Sequence, residues 1–114
     1  MQVHYVEIVS KSVEKQCQLL EQVLGLSFGP EVHDLGQARV AKIDNGAIIG
    51  VRAPLADHEQ PIVRTYFAVD DIEKATREAE TAGAVIAYPP TRQGDTGIWA
   101  IYILDGIQYG LWQK

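Results

Sequence analysis

The sequence predicts an α+β fold made of two copies of one strand–helix–meander unit. Two observations carry this. Ser12-Val13-Glu14-Lys15 lines up with Asp71-Ile72-Glu73-Lys74 at an offset of 59 residues, and the glycines that close the two helical stretches, Gly25 and Gly83, keep nearly that offset. Each half then shows the same order: one strand, one helix and three short strands. A single unit of this size cannot cover both faces of its sheet, so two of them are expected to pair. The 114 residues amount to two modules, about 1–55 and 62–114, in one domain with almost no surplus.

Val3–Ser10 is apolar and β-branched and reads as the first strand. Ser12 is placed to cap a helix over Val13–Leu24, whose Val13, Cys17, Leu20 and Leu24 fall on one face, and Gly25 supplies the left-handed residue that ends it. Strands are expected at Leu26–Phe28, Ala38–Ile43 and Ala47–Arg52, with Asp44-Asn45-Gly46 as a hairpin turn. After the polar stretch Ala53–Gln60, a second strand spans Arg64–Val69. Asp71 then caps a helix that buries Ile72, Ala75, Ala79 and Ala82. The closing strands are Val85–Tyr88, Ile98–Leu104 and Gln108–Trp112, with Asp105-Gly106 as a turn. Pro89–Gly97 reads as a mobile loop, either a lid or an ordinary exposed connection.

Composition excludes several classes. Fifteen acidic residues against ten basic ones give a net charge of −5 with no basic block, a poor match to the clustered Lys and Arg that bind nucleic acid. No apolar run approaches the roughly 20 residues that span a bilayer. Met1-Gln2-Val3-His4 lacks the features of a signal peptide, and the single cysteine, Cys17, cannot form an internal disulfide. A cytoplasmic protein is expected.

Tyr5-Val6-Glu7-Ile8-Val9-Ser10-Lys11-Ser12-Val13-Glu14 followed by Val23-Leu24-Gly25-Leu26 resembles the opening strand, helix and "LGL" ending of the vicinal oxygen chelate superfamily. That superfamily is the home of glyoxalase I, bleomycin resistance proteins and extradiol dioxygenases. Phe67-Ala68-Val69-Asp70-Asp71-Ile72 resembles the start of its second module, and Gly106 through Gly110-Leu111-Trp112-Gln113 the closing strand of a lactoylglutathione-lyase-related subgroup. The resemblance implies two βαβββ modules whose curved mixed sheet forms a cup around a ligand. It also implies a homodimer, sometimes with exchanged modules. Metal-dependent members take His, Gln and Glu ligands from four positions, which here correspond to Tyr5, Gly50, Arg64 and Gly110. Two glycines offer no donor and an arginine repels a cation, so the usual metal site is expected to be missing. No cofactor is expected, though a divalent metal held by other ligands is left open.

Strand alternation from Tyr5 puts Glu7 and Val9 on the same face, and from Arg64 it puts Tyr66 and Ala68 there. The cup would be lined by Tyr5, Glu7, Arg52, Arg64, Tyr66, Gln108 and Trp112, aromatic walls with a few polar groups. Gly50 and Gly110 either leave room for a ligand or allow close packing. Glu7 and Arg64 are the candidate catalytic pair, either binding a polar ligand and moving a proton or forming an inert internal salt bridge. Trp99 and Trp112 either stack on a planar ligand or fill the core. Cys17 reads as a buried structural thiol, and His4, His33 and His58 lack metal-ligand spacing. Three functions follow: a module that holds a small polar or aromatic molecule in a metal-free cup; an active lyase, isomerase or hydroxylase-type enzyme; or a dimeric interaction domain whose cup is collapsed.

Overall fold

The computed structural model describes residues 1–114. Its elements run β1 (Val3–Val9), α1 (Val13–Leu24), β2 (Glu31–Val32), β3 (Ala38–Lys42), β4 (Ile48–Arg52), β5 (Ile62–Ala68), α2 (Ile72–Thr81), β6 (Val85–Arg92), β7 (Ile98–Leu104) and β8 (Ile107–Gln113). The chain forms two compact units, Tyr5–Val63 and Arg64–Lys114, the latter together with Met1–His4. Each has the predicted order of strand, helix and three strands, and each sheet is mixed.

In the first unit the strands lie in the order β2-β3-β4-β1. The β1–β4 pair is parallel, with Glu7 opposite Gly50, and the other pairs are antiparallel. The alternation of β1 is plain, since Tyr5, Glu7 and Val9 are all buried. The opposite face packs on α1, where Cys17, Phe28, Ala41 and Val51 form the core with Ile8, Val13, Leu20, Leu26 and Ile49 around them. Leu24 departs from the expected buried face. It is 57% exposed, because the helix ends there and Gly25 turns the chain away at φ 69°.

Ser12 does not cap α1 through its side chain. Its amide instead donates to Ser10 Oγ at 3.0 Å. Leu26–Phe28 is not a strand either. Its backbone is claimed by side chains: Phe28 N donates to Glu21 Oε2 (3.0 Å), and Arg39 donates to the carbonyls of Phe28 and Gly29 (3.2 and 2.9 Å) while also clasping Glu14. With those groups taken, the edge strand starts only at Glu31. At the Asp44-Asn45-Gly46 turn, Asn45 (φ 64°) and Gly46 (φ 80°) both take the left-handed conformation that such turns require.

In the second unit the order is β5-β8-β7-β6, with β5–β8 parallel and Tyr66 opposite Gly110. Met1–His4 runs beside β5, where Ala68 N donates to Gln2 O at 2.8 Å. Asp71 caps α2 as expected, accepting from Lys74 N at 3.1 Å. Ile72 is buried on α2, with Ala75 partly so, against Ala100 and Leu111. Ala82, beyond the last turn, is exposed. Thr76 is buried in its stead, its hydroxyl donating back to Ile72 O at 2.6 Å.

The Pro89–Gly97 loop is the largest departure. Residues 89–92 continue β6, with register shifts on either side of Tyr88, the second of them across Pro89 and Pro90. Only 93–97 turns, and it is tied by Gln93 N to Gly97 O (2.8 Å) and Thr96 N to Gln93 O (3.0 Å). Trp112 Nε1 donates to Thr96 O (3.0 Å), and a side chain at Gly97 would meet the Trp112 ring nitrogen. The segment is a fastened hairpin end rather than a lid.

These caps separate two serviceable-looking sequence signals. Asp71→Ala is expected to lower unfolding free energy by about 1 kcal/mol, and Ser12→Ala to leave it within a few tenths, as read from urea midpoints.

Candidate functional site

Each unit turns one sheet face to its helix and keeps polar and aromatic side chains on the other. In the first unit that helix-free face carries Tyr5, Glu7 and Arg52. Glu7 is 1% exposed, and its Oε2 accepts from Arg52 Nε at 2.8 Å. The partner of Glu7 within its unit is therefore Arg52, a residue the sequence marked only as a ligand contact. Arg52 sits beside it because β4 runs parallel to β1 and brings Arg52 next to Val9. Glu59 was not foreseen. It lies on the irregular stretch after β4, and its two oxygens accept from Arg52 Nη1 (2.9 Å) and Nη2 (2.7 Å). Burial disfavours the Arg52 cation, but the hydrogen bonds and charges of Glu59 and Glu7 outweigh it and raise its pKa. Burial, reinforced by the charge of Glu7 and opposed by Arg52, raises the pKa of the Tyr5 hydroxyl, so it stays protonated.

In the second unit, Arg64 Nε and Nη2 donate to Gln108 Oε1 at 3.0 and 2.7 Å, and Arg64 Nη1 donates to the Tyr66 hydroxyl at 3.5 Å. Tyr66 packs edge-on against both Trp99 and Trp112, at 5.1 and 5.7 Å between ring centroids, and the two indoles lie 5.5 Å apart. Two further rings join them: Tyr88 at 5.8 Å from Trp99 and His4 at 4.9 Å from Trp112. Neither contact is marked by a local pattern: His4 and Trp112 stand at opposite ends of the chain, and Tyr88 meets Trp99 only through the pairing of β6 with β7. Burial, and to a lesser degree Lys114, lowers the His4 pKa and favours its neutral form. The buried Trp99 Nε1 and His4 Nδ1 have no hydrogen-bond partner. A cavity of about 320 Å³ opens beside Trp112, lined also by Gln2, His4, Val69, Asp70 and Lys114.

The four positions that hold metal in the resembled family do not fit a divalent ion here. Gly50 and Gly110 have no side chain, and a Cβ at Gly50 would overlap the Tyr5 hydroxyl. A Cβ at Gly110 would overlap the Tyr66 ring near its attachment. The volume that a ligand side chain would need is thus filled by a tyrosine in both units, while Arg64 brings a positive charge. No group of three or more His, Cys, Asp and Glu side chains is placed to hold a metal. His33 is paired with Gln37 at 3.0 Å, and His58 is exposed. Cys17 is a buried free thiol whose pKa is raised, chiefly by burial, as expected of a structural cysteine. No helix is long and apolar enough to cross a membrane.

The chain belongs to the Glyoxalase/Bleomycin resistance protein/Dioxygenase superfamily, which residues 2–108 match. Among solved structures it is similar to a hypothetical protein from Bacillus halodurans, with a TM-score of 0.76 and 16% identity over 99% of this chain and 94% of that one. It is also similar to methylmalonyl-CoA epimerase from Mycobacterium tuberculosis (TM-score 0.71, 19% identity, 97% and 86% covered). The Streptomyces coelicolor methylmalonyl-CoA epimerase, solved with 2-nitronate-propionyl-CoA, gives a TM-score of 0.71 at 12% identity, with 100% and 94% covered. Identities this low show a shared fold. No curated protein matches the sequence significantly.

The glycine–tyrosine packing makes a direct prediction. Gly110→Ala strikes the Tyr66 ring near its base, and an overpacking cost of about 1–3 kcal/mol is expected. Gly50→Ala meets the far end of Tyr5 and should cost less. Combining Gly110→Ala with Tyr66→Ala should destabilise by less than the sum of the two single changes, as measured by denaturant unfolding.

Proposed function

We propose that this protein holds a small polar or aromatic molecule on the helix-free faces of its modules, without a divalent metal. Glu7 and Arg64 fix the ligand or move its proton, and Tyr5, Arg52, Tyr66, Trp99, Gln108 and Trp112 are the surrounding contacts. The observation that carries this reading is the buried charge. Glu7, Arg52 and Arg64 lie on faces that an inert core would fill with aliphatic side chains, since replacing a buried ion pair by apolar residues is often neutral or stabilising. Sites that bind or transform polar ligands are where such groups gather. The cavity beside Trp112 and the unpartnered Trp99 Nε1 support a ligand with an aromatic or acceptor group. A cytoplasmic location suits the free thiol of Cys17, and a homodimer suits the exposed Leu19, Val23 and Leu24 along α1.

One observation favours a second reading. Tyr5 and Tyr66 are fully buried and fill the space their glycines leave, as they would in an interaction domain whose ligand space has collapsed. A thermal-shift screen separates the two, because a molecule that binds only the folded state raises its apparent stability. Methylmalonyl-CoA, short dicarboxylates and aromatic acids are the first probes. At least one should raise Tm, and Glu7→Gln should weaken its binding by about tenfold while far-UV circular dichroism stays unchanged. No shift with any probe, or equal affinity in the variant, sinks the binding role. A separate check concerns the metal: dialysis against EDTA should leave Tm unaltered, and a stoichiometric divalent ion in elemental analysis of purified protein would overturn the metal-free reading.

A further inference from the structure

We infer that Arg52 is a carboxylate receptor whose ligand seat is filled, in the unliganded protein, by the protein's own Glu59. This rests on the proposed binding face of the first module and names the chemical class it takes. The guanidinium has two separate jobs. Its Nε is fixed by Glu7 at 2.8 Å, a carboxylate that comes from the rigid strand β1 and is 1% exposed. Its Nη1 and Nη2 form the fork that binds a planar two-oxygen anion bidentately, and that fork holds the Glu59 carboxylate at 2.9 and 2.7 Å. The seat is shown to fit a carboxylate because it contains one.

The two acids differ in how they are held. The Glu59 side chain is 23% exposed and is carried by residues 53–61, which form neither helix nor strand. Glu59 ties that stretch at two further points, its Oε1 accepting from Leu55 N at 2.7 Å and its N donating to Ala56 O at 3.0 Å, and Arg52 Nη1 adds a longer bond to Ala53 O at 3.2 Å. Leu55 and Arg52 both come close to Gly36, where an added Cβ would meet the two side chains, and Leu55 still leaves 68% of its own surface in water. If a ligand carboxylate takes the fork, Arg52 keeps its orientation through Glu7, its charge remains matched, and the displaced glutamate goes directly into solvent. The exchange replaces one charge-assisted pair by another of the same kind, so its main cost is freeing the 53–61 segment. Displacing Glu7 would strand a charge in the interior.

The test uses malonate as probe and propionamide as its uncharged control, with binding followed by NMR titration. In the wild-type protein, malonate should perturb the Leu55 amide, which loses its acceptor when Glu59 leaves; propionamide should not. Glu59→Gln keeps the shape and removes the competing charge, and should tighten malonate binding by at least about tenfold. Arg52→Lys, which keeps the charge but not the fork, should abolish that gain. Unchanged malonate affinity in Glu59→Gln, or a Leu55 amide that malonate leaves unmoved, overturns the inference. If other molecules in the thermal screen still bind and still lose affinity in Glu7→Gln, the broader binding role stands without it. Should Glu59→Gln fold poorly, the wild-type Leu55 response decides alone.

Discussion

Two glycines, each covered by a tyrosine, set the conditions for everything else on the helix-free faces. At Gly50 and Gly110 the strand has no side chain, and the space above it is taken by Tyr5 and Tyr66 respectively. In each unit the glycine lies on the strand that runs parallel to the one bearing the tyrosine. Packing at interior density leaves no room there for the donor side chains a metal requires. It also decides what surrounds the rings: charged groups with dedicated partners in the first unit, Glu7 with Arg52, and a cluster of aromatic rings around Tyr66 in the second. The same strand–helix–meander scaffold therefore carries a chemically different face in each unit.

The features legible in the sequence are those that local chemistry dictates. Asp71 as a cap, Gly25 as a helix end, and the Asn45-Gly46 and Asp105-Gly106 turns each depend on a few adjacent residues, and the structure has them all. The alternation of Tyr5, Glu7 and Val9 was equally readable, because a strand with one polar-lined buried face keeps its period of two. Where the reading failed, distant residues had intervened. Leu26–Phe28 has the composition of a strand, but Glu21 and Arg39 take its backbone groups first. Pro89 and Pro90 have the composition of a loop, yet an outermost strand can accommodate residues that lack an N–H.

The candidate site divides along the same line. Which residues would be buried on the helix-free faces followed from periodicity. Which of them would be hydrogen-bonded did not, because pairing depends on strand order and on loops that carry no periodic signal. Glu59 belongs to the polar segment Ala53–Gln60, where nothing in the sequence separates it from its solvated neighbours Asp57 and His58. Only the fold brings its carboxylate to Arg52. His4 and Tyr88 are similar cases, ordinary strand residues that become ring contacts only when the folded chain brings them beside Trp112 and Trp99.

The prolines of β6 have a consequence for the protein's life in a crowded solution. β6 is the last strand of its sheet, and one of its sides has no partner within the unit. A long regular strand in that position is a template on which other chains can grow. Pro89 and Pro90 remove two donors in succession, and the register shifts around Tyr88 bend the strand out of the flat geometry that stacking needs. The residues that made this segment look like a loop thus help keep its open edge from recruiting foreign strands.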